Sequence, residues 1–358
     1  MKKILLILAV MVVSVIPTKA EEPDLKQMAG QMIMVGFRGT HADNESVSLL
    51  KAQIREGLVG GVVFYAYNID NPEQTRRLND NLKSSAPDMH PLFTAVDEEG
   101  GKVQRLRDKK GFEDFPSHQS VSEGMNAVQA EKLYSKLARM VKDAGFNVNF
   151  APVVDLNVNP DSPAIGRIGR SFGRDSDTVT EYAESFIKAH REMGVITSIK
   201  HFPGHGSAMT DSHKGFTDVT DTWSKDELQP YKALLDAGMV DSIMSAHVFN
   251  KKIDTEYPAT MSNKQIGMLR KGIGYDGVLF TDDLQMGAVS DNYGLETAVV
   301  RSVSAGADVL IYSNYFEYVP DFPEKAVGYI LKGVESGELS RGRIEEAYRR
   351  IMQLKRPL

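Results

Sequence analysis

Gly277-Val-Leu-Phe-Thr-Asp-Asp-Leu-Gln-Met286 runs from a glycine through a short apolar stretch into two adjacent acids. A run of that length with polar residues at its end reads as a buried β-strand carrying carboxylates at its C-terminal tip. Similar β-branched or apolar runs recur along the chain, so that eight can be counted: 32–37, 61–66, 92–97, 148–155, 197–201, 242–247, 277–282 and 308–313. Segments with helical spacing separate them, at 45–55, 72–82, 127–144, 177–193, 224–237, 263–270 and 296–305. In the second of these, Asn71 is a suitable cap and Pro72 stands at the first helical position. Near-continuous apolar strands alternating with helices indicate a parallel sheet covered on both faces. Eight such units predict an α/β fold, a (β/α)8 TIM-type barrel forming a single catalytic domain. The alternative is an open doubly wound sheet.

The polar residues favour the barrel. Asp97, Asp155, Lys200, His201, His247 and Asp282 all fall at the carboxyl end of an expected strand. In barrel enzymes that end carries the active site. The terminal segment 343–354 has Ile344, Ala347, Ile351 and Leu354 at helical spacing and is expected to pack back on the barrel.

Composition excludes several function classes. Residues 1–20 have the pattern of a signal peptide: Lys2 and Lys3, an apolar run, then Thr18-Lys19-Ala20 with small residues at the cleavage positions. The alternative is an uncleaved anchor, but the apolar run is shorter than the roughly 20 residues of a spanning helix. The expected mature chain, 21–358, is therefore periplasmic or secreted, with no membrane span. Loss of Lys2, Lys3 and Lys19 would take the net charge from −6 to −9. An acidic chain without a basic run is a poor partner for nucleic acid. The chain has no cysteine, which rules out disulfides and cysteine-linked lipid, so its core alone must hold it. A monomer is expected.

Four clusters carry candidate chemistry. A strand alternates its side chains, so one of Asp282 and Asp283 is expected at the barrel mouth, and a carboxylate there is a credible nucleophile. The same pair could instead only close a loop. Asp97-Glu-Glu-Gly-Gly101 would repel phosphate but accept hydrogen bonds from hydroxyl-rich ligands, unless it is a solvated turn. Ile165-Gly-Arg-Ile-Gly-Arg-Ser-Phe-Gly-Arg174 could hold an anion or form a surface loop. Lys200-His-Phe-Pro-Gly-His-Gly-Ser-Ala-Met-Thr-Asp-Ser-His213 is too broken by Pro203, Gly204 and Gly206 to be a regular element. His201, His205, Asp211 and His213 are metal-ligand types, but their spacing matches no helical zinc arrangement, and no metal or cofactor is expected. Asp211, two residues before His213, can orient the ring as an acid/base pair. His205 and His247 read as structural.

Together these pieces resemble the catalytic domain of glycoside hydrolase family 3, and more narrowly its bacterial β-N-acetylhexosaminidases. The likeness covers nearly the whole mature chain. It rests on Gly30-Gln-Met-Ile-Met-Val-Gly-Phe37, the Asp-Glu-Glu-Gly-Gly run, Asn149-Phe-Ala-Pro-Val-Val-Asp155, Gly169-Arg-Ser-Phe-Gly173, the 200–213 loop and Thr281-Asp-Asp-Leu-Gln-Met286. The 200–213 loop separates the hexosaminidases from the family's β-glucosidases.

That resemblance implies a retaining exo-β-N-acetylglucosaminidase acting on cell-wall fragments or other glycans ending in β-linked N-acetylglucosamine. It matches Asp282 to the nucleophile and His213, paired with Asp211, to the acid/base. Asp97, Arg105, Arg170, Lys200 and His201 match residues that bind the sugar. Glu98 stands where members often carry Gln or His, which is expected to add a charge beside Asp97. Tyr67 stands where many carry Arg. The family also has two-domain members, whereas this chain is expected to work as a barrel alone. A β-N-acetylglucosaminide phosphorylase, a β-glucosidase-type hydrolase and a non-catalytic glycan-binding barrel are the rival readings.

Overall fold

The computed structural model describes residues 23–358; the expected signal segment 1–20 lies outside them. All eight apolar runs contain a strand: β1 (Ile33–Gly36), β2 (Gly61–Phe64), β3 (Phe93–Val96), β4 (Val148–Asn149), β5 (Ile196–Phe202), β6 (Ser242–Ser245), β7 (Val278–Asp283) and β8 (Val309–Tyr312). Each pairs in parallel with its neighbours in sequence, and β1 pairs with both β2 and β8, closing the barrel. The open doubly wound alternative is thereby excluded. The barrel interior is filled by aromatic side chains: Phe280 meets Phe93 edge-on at 6.0 Å between centroids and Phe150 at 5.3 Å.

The helices begin where the caps place them. Asn71 accepts the Gln74 amide at 2.9 Å to start Pro72–Lys83, and Asp175 accepts the Thr178 amide at 2.8 Å to start Ser176–Glu192. Helix Phe322–Ser336, which follows β8, was not anticipated by helical spacing; it docks with Phe322 stacked on Tyr312 at 3.9 Å. The last helix, Arg341–Lys355, packs on the first, Leu25–Gln31, with Ile344, Ala347 and Ile351 buried as expected. Leu354 is only partly covered, and Lys355 takes the inner position.

One strand is much shorter than the 148–155 run suggests. The β4 ladder ends at Asn149, because Pro152 has no N–H to continue it. The chain meets β5 again at the isolated Val153–Lys200 bridge and through the Ser198 amide on the Ala151 carbonyl. This detour carries Asp155 across the top of β5. No helix among the described residues is long and apolar enough to cross a membrane.

Candidate active site

A cavity of roughly 320 Å³ opens at the carboxyl end of the barrel. Its lining includes Asp97, Arg105, Arg170, Lys200, His201, His213 and Asp282, which are all of the expected site residues except Asp211. Asp211 stands behind His213. The candidates come from β3, β5, β7 and the loops that follow β3, β4 and β5, so residues up to 185 apart in sequence converge on one space.

One wall is a closed network of charge. Lys200 donates to Asp97 at 2.9 Å and to Glu99 at 2.8 Å. Arg170 grips Glu99 with two hydrogen bonds, of 2.7 and 2.9 Å, and Arg105 reaches Asp97 at 3.3 Å. Burial would raise both carboxyls, but the cations beside them hold Asp97 below the ordinary carboxylate range and Glu99 well below it. Alternation along the extended chain explains the pairing, since Asp97 and Glu99 share a face. Glu99 is the site residue that sequence reasoning passed over, although that alternation pointed to it. In the arginine-rich loop only Arg170 turns inward; Arg167 and Arg174 do not line the cavity.

Asp155 sets the orientation of His201. Its carboxylate accepts from Nδ1 at 2.7 Å and from the His201 and His205 amides at 3.2 and 2.8 Å. Arg170 donates toward the other ring nitrogen, Nε2, at 3.2 Å. Asp155 and Arg170 thus fix the orientation of the His201 ring between them. The histidine loop is held down at two glycines. A Cβ on Gly206 would come within 1.7 Å of the Leu156 carbonyl oxygen, and Gly204, at φ +125, rests on Glu227. His205 is structural, but a side chain meets it: Nε2 bonds the Ser212 hydroxyl at 3.1 Å.

Asp282 and His213 both line the cavity. His213 donates from Nδ1 to Asp211 at 2.8 Å, and its amide bonds the same oxygen at 3.0 Å, while Nε2 meets no partner among the described residues. Burial works against its charge, but the Asp211 hydrogen bond and the field of Asp282 hold its pKa above the usual histidine value. For Asp282, burial would raise the pKa; His247, His201 and His213, with the Asp283 amide, bring it down to about 2. Asp282 accepts one hydrogen bond among the described residues, from that amide at 2.8 Å. It stays ionised with a free oxygen.

Two expectations need correction. Asp282 and Asp283 were expected on opposite faces, yet both line the cavity, because the ladder shifts register between Phe280 and Asp283. Asp283 is nevertheless occupied: its carboxylate accepts the Ser313 and Gln285 amides, and burial raises it to about 6. Glu98 adds no charge to the cavity. It points the other way, accepts the Arg105 and Leu106 amides at 2.8 and 2.9 Å, and is raised by burial to about 8. Tyr67 does not line the cavity either; it stacks behind Tyr65 at 5.8 Å. His247 is structural as read, bonding Thr260 and the Asp283 carbonyl.

Known proteins agree with this arrangement. Residues 24–354 match the glycosyl hydrolase family 3 N-terminal domain. The chain is 36% identical over 275 residues to the beta-hexosaminidase LpqI of Mycobacterium tuberculosis, covering 75% of this chain and 69% of that protein. It is 29% identical to beta-hexosaminidase A of Pseudoalteromonas piscicida over 95% of its own length, but spans only 62% of that relative. Among solved structures, a family 3 beta-N-acetylglucosaminidase from a Paenibacillus species superposes with a TM-score of 0.85 at 33% identity, over 94% of this chain and 63% of that one. The beta-N-acetylhexosaminidase of Beutenbergia cavernae does so with a TM-score of 0.84 at 26% identity, over 93% and 99% of the two chains. A match from end to end of the barrel, with the charged groups gathered at its mouth, leaves one assignment: the chain belongs to glycosyl hydrolase family 3.

Proposed function

We propose that the protein is a retaining exo-β-N-acetylglucosaminidase. One observation carries the reading: an ionised Asp282 with a free oxygen shares a single cavity with a histidine whose proton is stabilised by Asp211. Retaining hydrolysis needs a nucleophile and a group that first gives and then takes a proton. Asp282 attacks the anomeric carbon while His213, from Nε2, protonates the departing oxygen. The C–O bond breaks and a glycosyl ester forms on Asp282. His213, now neutral, takes a proton from water; the water oxygen adds to the anomeric carbon and the Asp282 carboxylate leaves. Asp97 accepts from sugar hydroxyls, and Arg170 and Lys200 donate to them. His201, held by Asp155 and Arg170, lines the same subsite. The beta-hexosaminidase and beta-N-acetylglucosaminidase relatives support N-acetylglucosamine as the sugar. Terminal N-acetylglucosamine outside the cytoplasm, on wall fragments or other glycans, is the substrate that fits the expected export.

The test is hydrolysis of an aryl N-acetyl-β-glucosaminide in phosphate buffer. The wild-type chain should release free N-acetylglucosamine rather than its 1-phosphate, and Asp282→Ala should lose at least about 10³-fold in kcat. Near-native turnover by that variant would remove Asp282 from the mechanism. Rapid turnover of the β-glucoside with none of the N-acetyl analogue would remove the hexosaminidase reading.

A further inference from the structure

The cavity is small for a glycan. A volume of roughly 320 Å³ lies at the low end of small-molecule sites, about 300–1,000 Å³, and matches one sugar unit. An exo-acting enzyme must therefore place the rest of its substrate outside the cavity, across the rim. Two large aromatic side chains stand on that rim and also line the cavity: Tyr315 is 51% exposed and Phe316 is 54% exposed. Their rings meet at 81° with centroids 5.3 Å apart, forming a corner rather than a packed pair.

Exposed aromatics on a loop are usually loosely held, but this loop is tied at every turn. Asn314, in the left-handed region at φ 52, donates to the Gly36 carbonyl at 2.9 Å and accepts the Val319 amide at 2.8 Å. The Tyr315 amide donates to Gln285 Oε1 at 3.1 Å, and Arg38 donates to the Tyr315 carbonyl at 2.9 Å. Gln285 also donates to the Glu317 carbonyl at 2.7 Å. Behind it, the Tyr315 ring rests on Tyr65 at 5.5 Å and Tyr67 at 5.8 Å. The shelf is thus rigid, apolar and open to water. Gln285 ties it to the segment that carries Asp282, three residues away.

Leaving this much aromatic surface wet sacrifices burial that folding would otherwise use. Preorganising it at a cavity mouth fits one occupant, a flat ring with an apolar face. From this placement we infer that Tyr315 and Phe316 form the subsite for the pyranose ring on the leaving-group side of the cleaved bond. The C–H face of that sugar packs on the rings, whose electron-rich faces attract it. The shelf selects glycans over substrates with small leaving groups, and Tyr67 serves as its backing. This inference rests on the hydrolase reading proposed above.

The experiment compares two substrates. N,N′-diacetylchitobiose places a pyranose on the shelf, whereas methyl N-acetyl-β-glucosaminide has a leaving group with no ring. Phe316→Ala should raise KM for the disaccharide about tenfold while kcat/KM for the methyl glycoside stays within about twofold. Phe316→Leu, which keeps apolar bulk but no ring face, should follow the alanine variant. Tyr315→Ala should act in the same direction. Equal losses on both substrates, or no loss on either, overturn the subsite while leaving the hydrolase intact. A folded wild-type chain that turns over neither substrate overturns the hydrolase reading itself, and the subsite with it.

Discussion

The two ends of the barrel both bury charge, and they use it for opposite purposes. At the amino-terminal end Asp308 is fully buried and accepts from Arg270 at 2.6 Å, Arg343 at 2.5 Å and Arg350 at 3.3 Å, besides the Leu279 amide. Arg350 also bonds Asp276 and Glu346. These contacts tie the last helix, Arg341–Lys355, to the strand ends. Beside them Lys355 donates to Gln31 and the Gly60 carbonyl, and burial lowers its pKa to about 7. Asp308 meets three arginines, and none of this group lines the cavity at the carboxyl end. At the carboxyl end Asp97, Glu99, Lys200 and Arg170 form an equally tight lattice, but it serves as the wall of an open space. Within that space Asp282 and His213 keep unfilled hydrogen-bonding capacity. A buried charge whose neighbours are all protein groups is structure, whereas one with a valence facing a cavity is poised for chemistry.

Mutations at the two ends should separate accordingly. His213→Ala should reduce kcat by about 10²–10⁴-fold, the usual worth of a positioned proton donor, with the melting temperature near that of wild type. His213 has its pKa raised by Asp211, so its acid form persists above the ordinary histidine value of 6.5 and is lost as pH rises through the folded-state pKa. The basic limb of the kcat profile should therefore lie above pH 6.5 and move down in Asp211→Asn. An unchanged profile in that variant would place the titrating group elsewhere.

At the sealed end, Asp308→Ala should leave three arginines buried without their common partner. Breaking such a group costs about 3–5 kcal/mol, or roughly 4–7 °C in melting temperature for a chain of this size. KM should not change. A fall in activity per folded molecule, with no loss of stability, would contradict the division between the ends.

The smallest effect sharpens the comparison, because Glu98 lies at the mouth yet behaves like the sealed end. Its folded pKa of about 8 lies above the ordinary 4.5, so the folded chain keeps a proton that the unfolded chain releases. The stability it contributes is full below about pH 4 and is lost as pH rises toward 8. Glu98→Gln keeps an oxygen for the Arg105 and Leu106 amides and removes the titration. It should melt a few degrees higher than wild type at pH 8 and about equally at pH 4. A lower melting temperature at pH 8, or a changed KM, would return Glu98 to the cavity as a charged group.

Much of this was legible from the chain. Strand and helix periodicity is local, so the alternation of apolar runs predicts all eight βα units except the helix after β8, whose mixed Phe322–Ser336 segment hides its spacing. Asp97, Lys200, His201 and Asp282 are legible as site residues because parallel strands bring all their carboxyl ends to one face. Arg170 is legible only through the family resemblance, since nothing local distinguishes it from Arg167 and Arg174 until Glu99 is seen to hold it. Glu98 and Glu99 are alike in sequence and opposite in fate, one turned into the loop and the other into the charged wall.

What the sequence determined by itself is therefore the barrel and the set of groups at its mouth, because both follow from periodicity and from the direction of the strands. Only the tertiary structure decided the state of each group: which acid is ionised and which is protonated, which histidine is braced and which is free, and which aromatics stay wet. Those properties depend on burial and on neighbours that are remote in sequence. Tyr315 reaches Tyr65 and Tyr67 across the β1–β8 closure, and Asp282 feels His213 across the open cavity.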